Sequence, residues 1–301
     1  MKKPPRPRGE LASGLWFASP FLVGFSLFTA YPLLASLYYS FCDYNVFDPP
    51  VFTGTRNYAE LLRDELFRRA CWNTLVFTVF AVPVTILVAL GLAMLLNLKV
   101  RGQAFYRLAF YLPSIVPTVA ASVLWVWVFN PQFGLLNVCL RALGGWLAPW
   151  ITVPTPGWLT DPQWSKTALV IMSVWGAGSN MVLYLAGLQE VPRELYEAAE
   201  IDGASAWRRT WHVTLPALSP TLFFTLIMGV IGSFQYFTQA WVMTNGGPAD
   251  STLFYSLYLF NNAFVYFRMG YASAMAYVLF LAILLCTVIL FRGSRRFVHY
   301  Q

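Results

Sequence analysis

The ionisable side chains of this sequence are concentrated in one stretch, although only 11% of its 301 residues are charged. Between Leu188 and Pro216 the chain has three arginines and five acids, namely Glu190, Glu194, Glu197, Glu200 and Asp202. Carboxylate and guanidinium groups form strong hydrogen bonds with charged or backbone partners. The stretch therefore suits a polar contact with another protein, and a solvated connector between two apolar segments is the alternative.

The first half of this stretch has the signals of a short, self-contained helix. Pro192 suits the first helical position, and Glu194 follows in the first turn. Gly203 suits the left-handed residue that ends a helix. We therefore expect a helix over Arg193–Asp202.

The second half has the signals of another helix. Ser205 can cap it, and Trp207 and Trp211 would share one face because they are four residues apart. Pro216 marks the expected boundary with the next apolar segment. A passive linker would not need these start and stop signals, so they favour a docking element.

Neutral polar side chains in the fifth long apolar segment suit an uncharged substrate. Ser233, Tyr236 and Gln239 recur at three-residue steps near one helical face, and Gly229 and Gly232 adjoin them. Hydroxyl, amide and aromatic groups suit a neutral sugar or polyol. Small and polar residues are also common where membrane helices pack, so packing is an equally good interpretation. In the preceding apolar segment, the weaker candidates are Gly176, Ser179 and Asn180.

Residue patterns for catalysis or for a self-contained energy source are missing from the sequence. It has no Gly-Lys dipeptide and hence no phosphate-binding P-loop, and neither His212 nor His299 is placed for catalysis. No Cys/His grouping has metal-ligand spacing, so we expect no metal site. The long apolar segments lack Asp, Glu, Lys and Arg, which proton relays inside membranes usually need. These observations argue against an integral-membrane enzyme and a self-sufficient secondary transporter.

Six long apolar segments make up most of the chain, and a helix needs roughly 20 apolar residues to cross a bilayer. Core helices of soluble proteins keep a polar stripe, which these segments lack. Short amphipathic helices are expected in the outer loops, near Tyr58–Leu66 and Leu135–Leu143. We predict an all-α integral membrane protein with six transmembrane helices at about Leu15–Phe41, Asn73–Leu98, Leu108–Phe129, Thr167–Leu188, Ala217–Met243 and Ala272–Phe291.

The distribution of Lys and Arg predicts which side each loop faces. Thirteen lie in one set of alternate loops and tails and seven in the other, and the positive-inside rule places the richer set in the cytoplasm. The tails of residues 1–14 and 292–301 and the loop of residues 189–216 should therefore be cytoplasmic. The net charge of +7 reflects this bias and gives no reason to expect nucleic acid. Cys42 and Cys71 would lie at outer helix ends, where a disulfide or two free thiols both fit the spacing.

The charged loop resembles the EAA loop of ABC importer permeases. Three residues separate its Glu-Ala-Ala sequence from the glycine, and nine residues separate the glycine from the next residue of the pattern. The matching residues are, in order, Glu197, Ala198, Ala199, Gly203, Val213, Leu215 and Pro216. Valine at position 213 is the one departure, because isoleucine is more usual there. The TNGGP sequence of residues 244–248 is similar to carbohydrate-uptake permeases of the maltose and glycerol-3-phosphate type. The resemblance covers nearly the whole chain.

This resemblance implies a permease domain of residues 15–291, in which the loop is a coupling helix that sits in a cleft of a separate ATPase subunit. Ala198 and Ala199 would allow close packing, Glu197 would pair with a donor of the partner, and Gly203 would permit the sharp turn. The residues that tie the loop to the fifth helix would be Leu215 and Pro216.

The implied assembly has a second, homologous permease that is expected to be a distinct chain, and two ATPase subunits that hold ATP and Mg. An extracytoplasmic binding protein would deliver a sugar or a related polyol. No cofactor is expected on this chain itself, which would lie in the cytoplasmic membrane. The sugar stays unassigned.

Maltose-type permeases contact their substrate at four positions that correspond to Gly229, Gly232, Ser233 and Tyr236. Those permeases carry Ser, Phe, Asn and Asn there, and this difference argues against maltose itself. Whether this chain or its partner permease holds the main substrate site stays open.

Overall fold

The structure, a computed structural model, describes residues 8–98, 101–147 and 155–294. Within these ranges the chain is mostly helical, with one antiparallel pair of short strands, β1 (Cys42–Asp43) and β2 (Val51–Phe52). Parts of the predicted tails, residues 1–7 and 295–301, lie outside the described residues. The helices are α1 Arg8–Phe25, α2 Tyr31–Tyr39, α3 Arg56–Arg63, α4 Glu65–Asn97, α5 Gln103–Tyr111, α6 Thr118–Val128, α7 Leu135–Leu147, α8 Ser165–Trp175, α9 Gly178–Glu190, α10 Arg193–Ile201, α11 Ala206–Arg209, α12 Leu215–Phe234, α13 Thr238–Met243, α14 Tyr255–Phe260 and α15 Met269–Ser294.

Four helical segments are long and apolar enough to cross a membrane, and two bent helix pairs raise the number to six if each pair is one span. The bent pairs are α5 with α6 and α8 with α9. The fold is therefore that of a mostly helical, multi-pass membrane protein. The four unbroken segments are Ser13–Tyr39, Glu65–Asn97, Ala206–Phe234 and Met269–Ser294.

The two bends have local causes in the sequence. A short 3-10 turn over Leu112–Ile115 follows α5, and the chain then meets α6 at 101°. Val116 is extended because a residue before proline avoids the helical region, and Pro117 follows it. The second pair is bent by 45° where Gly176 ends α8.

The fifth apolar segment leaves the helical path earlier than predicted. α12 ends at Phe234, and three residues separate it from α13, so the predicted single helix over Ala217–Met243 is broken. The Ser256 hydroxyl donates to the Phe234 carbonyl oxygen at 3.1 Å. This bond satisfies one of the carbonyl groups that a helix end leaves unpaired. Apolarity continues through the break, and the sequence pattern therefore did not reveal it.

The chain divides into two compact units. Unit 1 comprises the described residues up to Arg63 together with Leu259–Val278. In it, the β1–β2 pair leads into α3, a helix that the sequence predicted near Tyr58–Leu66. The buried Asn57 amide donates to the Ser40 and Cys42 carbonyl oxygens, both at 2.9 Å, and so fixes α3 to the chain before it. Cys42 is a free thiol, and in unit 2 Cys71 is free as well.

Unit 2 comprises Asp64–Tyr258 and the described residues from Leu279 onward. Its helix α4 packs against α9 and α12. Ala89 and Ala93 of α4 are fully buried, and such small side chains let membrane helices approach closely. The Tyr184 hydroxyl of α9 forms a 2.6 Å hydrogen bond with the Thr225 hydroxyl of α12. Three helices are thereby held together in the part of unit 2 that carries most of the polar candidates.

Candidate coupling loop and substrate cavity

The first arm of the charged loop is α10, which agrees with the predicted helix to within one residue. Gly203 has φ +71°, so the predicted left-handed residue is confirmed. Its N–H donates to the Glu200 carbonyl at 3.0 Å, and the Ala204 N–H donates to the Ala199 carbonyl at 2.9 Å. This bond pair is the Schellman ending of a helix. Pro192 precedes the first residue of α10 as its N-cap and does not lie in its first turn.

The surface of α10 combines a free charge with small and apolar side chains. Glu197 and Ala198 are exposed, and Ala199 is half-buried. Among the described residues, the Glu197 carboxylate has neither a hydrogen-bond nor an ion-pair partner. Ile201, at the end of the helix, is 87% exposed. This surface is available for contact with another protein.

The second arm begins with the predicted cap, because the Ser205 hydroxyl accepts a hydrogen bond from the Arg208 N–H at 3.4 Å. Trp207 and Trp211 share one face as predicted, and their ring centroids are 5.7 Å apart in an edge-to-face arrangement. Both rings are exposed. Aromatic side chains are enriched at protein interfaces, and this pair suits one.

The structure corrects the expected boundary at Pro216. A π-helical segment, Thr210–Thr214, connects α11 directly to α12, so that Ala206–Phe234 is one unbroken helical segment. Pro216 lies in the first turn of α12. A proline ring clashes with the carbonyl four residues earlier in an α-helix, and the wider π turn relieves that clash. The proline therefore marks a change of helix type and not the end of a helix.

Two side-chain contacts tie α10 to the beginning of this long helical segment. The Tyr196 hydroxyl bonds the Thr214 hydroxyl at 3.0 Å. The Arg209 guanidinium forms an ion pair with the Glu200 carboxylate. Leu215, the next residue after Thr214, packs against the buried core of α4 and α9. Displacement of α10 would thus reach α12 through direct contacts.

A cavity of about 170 Å³ lies within unit 2, among α4, α8, α9 and α12. None of its lining residues is charged, which suits a neutral solute. The predicted path residues that line it are Asn180, Gly229, Gly232, Ser233 and Tyr236. The remaining walls are formed by Phe77, Ala81, Val82, Thr85, Ile86, Ser173 and Thr225.

Three predicted path residues do not line this cavity, and the helix breaks explain why. Gln239 belongs to α13, because the break after Phe234 interrupts the three-residue period on which the prediction rested. Gly176 ends α8, and Ser179 is an exposed residue of the first turn of α9. The bend between α8 and α9 therefore leaves Asn180 as the one candidate of this region that reaches the cavity.

Tyr236 is the most unusual of the lining residues. Its hydroxyl is buried and makes no well-formed hydrogen bond among the described residues, and the Ser173 hydroxyl is at most a weak partner. Its ring lies against Phe77, with centroids 4.4 Å apart, and edge-to-face against Phe254 at 5.5 Å. An unpaired buried hydroxyl costs about 1–3 kcal/mol. The cavity wall therefore includes a tyrosine whose hydroxyl the protein does not fully satisfy.

Seven lining residues were not predicted as candidates, and four of these carry an aromatic ring or a hydroxyl, namely Phe77, Thr85, Ser173 and Thr225. Two of them lie on α4, whose sequence is a nearly continuous apolar run. Ser173 and Thr225 are single hydroxyl residues within apolar segments, which is a weak signal because many such hydroxyls bond their own helix. The Ser173 hydroxyl, for example, donates to the Leu169 carbonyl at 2.9 Å.

The two cavity glycines differ in the space around them. A Cβ atom on Gly229 would lie 3.0 Å from Cγ1 of Val82 on α4, so the glycine permits close approach of α12 and α4. A Cβ atom on Gly232 would meet no atom within 4 Å. The Cβ atom of a larger residue at position 232, in the wall of the cavity, would thus not clash with any neighbouring atom.

Comparison with known proteins finds one matching family and several relatives that align with most or all of the chain. The model of the family described as "Binding-protein-dependent transport system inner membrane component" matches residues 67–299. A Bacillus subtilis protein described as a "probable ABC transporter permease", YesP, is 40% identical over 100% of this chain and 96% of its own length. The lactose transport system permease LacF of Rhizobium radiobacter is 38% identical over 94% of each chain. The sulfoquinovosyl glycerol transport system permease SmoG of Agrobacterium fabrum is 33% identical over 95% of this chain and 92% of its own.

Among solved structures, a chain of a bacterial alginate ABC transporter in complex with alginate pentasaccharide-bound periplasmic protein is similar, with a TM-score of 0.76. It covers 96% of this chain and 95% of its own length at 23% identity, which shows the fold alone. The family match and the relatives confirm the predicted resemblance to carbohydrate-uptake permeases of ABC importers. The chain belongs to the family of binding-protein-dependent transport system inner membrane components and is a permease subunit of an ABC importer.

Proposed function

We propose that this permease moves a neutral sugar or related polyol through the cavity lined by Gly229, Gly232, Ser233 and Tyr236. The observation that carries the proposal is one unbroken helical segment, Ala206–Phe234, that joins the exposed charged loop to this cavity. The relatives are named for lactose and sulfoquinovosyl glycerol, and both names describe sugar-containing solutes. A cavity without charged groups fits a neutral sugar such as lactose, whereas sulfoquinovosyl glycerol carries an anionic sulfonate for which this lining has no cationic partner.

Energy for transport comes from a separate ATPase that binds the charged loop. Glu197, Ala198 and Ala199 form the contact surface, and Gly203 keeps the two arms of the loop at their angle. Force on α10 passes through the Tyr196–Thr214 and Arg209–Glu200 contacts to the base of α12, at Leu215 and Pro216. Movement of α12 against α4 then changes access to the cavity.

The assembled importer contains a second permease, two ATPase subunits that hold ATP and Mg, and an extracytoplasmic binding protein. We infer six spans, at α1–α2, α4, α5–α6, α8–α9, α11–α12 and α15, with both termini and the charged loop on the cytoplasmic side, where the excess of Lys and Arg would lie. The second permease is a homologous but distinct chain, and this chain holds no cofactor itself.

The test is sugar uptake into proteoliposomes that contain this chain, its partner permease and the ATPase, with binding protein outside and ATP inside. Radiolabelled lactose, arabinotriose and N,N′-diacetylchitobiose are supplied separately. We expect uptake of at least one sugar, and only when ATP and the ATPase are both present. Accumulation by this chain without the ATPase would show a secondary transporter instead.

A further inference from the structure

A second cavity, of about 480 Å³, lies within unit 1 and shares no residue with the transport cavity. It is formed by the loop between α2 and α3, by α3 itself, and by the segment that leads into α15. Its volume falls in the range of about 300–1,000 Å³ that is typical of small-molecule sites. Aromatic rings and planar polar groups both contribute to its wall, among them Tyr44, Phe47, Arg56, Glu60, Phe267 and Arg268.

Among the described residues, two of the five non-glycine residues with a positive φ, Val46 and Phe267, lie beside or in the wall of this cavity. Val46 has φ 75° and Phe267 has φ 53°, a left-handed conformation that β-branched and bulky residues rarely adopt. The rings of Phe47 and Phe267 are in contact at a tilt of 56°, with centroids 5.2 Å apart, yet Phe47 is 74% exposed and Phe267 is 45% exposed. Burial therefore does not offset the strain. Strained residues of this kind cluster at ligand-binding sites.

The polar groups of the cavity are only partly used by the protein. Arg268 pairs with Glu60 at 2.5 Å and lies 4.3 Å from the centre of the Tyr271 ring. Asp43 and Arg56 are exposed, and the part of the chain that the structure describes gives neither side chain a hydrogen-bond or ion-pair partner. Two acids and two arginines leave no formal net charge. The cavity thus offers free donors and acceptors without attracting an ion of either sign.

We infer that this cavity binds a neutral saccharide on the extracytoplasmic face, as a site separate from the transport cavity. Carboxylate and guanidinium groups are planar and bond two neighbouring hydroxyls at once. Exposed ring faces at the rim can cover the apolar C–H face of a sugar ring. The cavity is larger than the transport cavity and so accepts more than one sugar unit. The inference rests on the proposed function for the sugar class and for the outward orientation.

The test is equilibrium binding of radiolabelled lactose, arabinotriose and N,N′-diacetylchitobiose to the full chain in lipid nanodiscs, without binding protein. At least one sugar should bind. Arg56→Met should weaken that binding by about 10-fold, as expected for loss of a charge-assisted hydrogen bond. Phe47→Ala should weaken it by about 5-fold through loss of the ring face. Both side chains are exposed, so these variants should fold like the native chain.

Each variant has a matched control outside the cavity. Arg63→Met removes the same side chain at the other end of α3, and Phe52→Ala removes an exposed ring of β2. Both should bind sugar within about twofold of the native chain. Equal weakening by Arg63→Met and Arg56→Met would contradict a specific site in this cavity, and so would a failure of all three sugars to bind the native chain.

Two further measurements separate this inference from its alternatives. Gly232→Phe, which adds a large side chain at the wall of the transport cavity, should abolish uptake in proteoliposomes and leave nanodisc binding unchanged. Loss of nanodisc binding in Gly232→Phe would assign the bound sugar to the transport cavity and overturn the inference. If Phe47→Ala lowers only the affinity for the binding protein, the cavity is a protein-docking site and the saccharide assignment is wrong. Failed uptake with intact sugar binding would contradict the proposed function alone.

Discussion

At the scale of single residues, removal of the Tyr236 hydroxyl can distinguish a role of this group in transport from a role in packing. It is buried without a well-formed hydrogen bond among the described residues, and Ser173 is at most a weak partner, so its removal should not weaken the fold. We expect Tyr236→Phe to raise the free energy of unfolding by about 1 kcal/mol and to raise the KM for sugar uptake about 10-fold. Thermal unfolding in detergent and initial uptake rates measure the two effects.

Tyr184→Phe is the matched control, because the Tyr184 hydroxyl is bonded to Thr225 at 2.6 Å in the same unit. This change should lower the free energy of unfolding by about 1 kcal/mol and leave the KM nearly unchanged. If Tyr236→Phe behaves in the same way as Tyr184→Phe, the Tyr236 hydroxyl is a packing element and does not contact sugar.

Substitutions of Gly232 test whether the sugar passes through this cavity. A larger side chain fits there without a clash at its base, so Gly232→Phe should block transport while the melting temperature changes little. Gly232→Ala adds one carbon and should retain at least half of the native uptake rate. Full transport by Gly232→Phe, measured in proteoliposomes at saturating sugar, would rule out this cavity as the route.

At the scale of secondary-structure elements, the turn at Gly203 sets the angle between α10 and α11. A β-branched residue at φ +71° costs about 1–2 kcal/mol, so Gly203→Val should distort the turn. We expect normal membrane insertion, about 10-fold weaker retention of the ATPase on purification, and loss of uptake. Gly203→Asn is the control, because asparagine tolerates the left-handed region. Equal ATPase retention by both variants would contradict a coupling role for this turn.

The helical segment Ala206–Phe234 runs without a break from the charged loop to the cavity. Val213→Pro should break the π-helical connection, because proline removes a backbone donor and distorts the turn. The variant should still bind the ATPase through α10, and ATP hydrolysis should continue while uptake stops. Val213→Ile adds a single carbon and should transport normally. Uptake by Val213→Pro at the native rate would show that force does not travel along this helix.

The elements also show where sequence reasoning succeeds and where it fails. Gly203 and Ser205 were predicted correctly because caps and left-handed turns depend on residues a few positions apart. The end of α12 at Phe234 was missed because Ser256, which satisfies the carbonyl there, lies 22 residues along the chain. Likewise, Phe77 and Thr85 reach the cavity only because α4 packs on α12, and no pattern within α4 indicates which of its faces does so.

At the scale of the whole molecule, the orientation in the membrane decides the two proposals together, because the charged loop must face the ATPase and the unit 1 cavity must face outward. Cys139, an exposed thiol of α7 in a predicted outer loop, allows a direct measurement. We expect a membrane-impermeant maleimide to label it in intact spheroplasts. In a Cys139→Ser background, Arg208→Cys in the charged loop should be labelled only after lysis.

The remaining native thiols provide the internal control for this experiment. Cys42 is buried, and Cys71 and Cys286 are half-buried, so the Cys139→Ser chain should give little label under either condition. Thirteen of the twenty basic residues lie on the side assigned to the cytoplasm, and inverting the chain would place this excess outside. Labelling of Arg208→Cys in intact spheroplasts would therefore contradict the ATPase contact and the outward-facing sugar cavity at once.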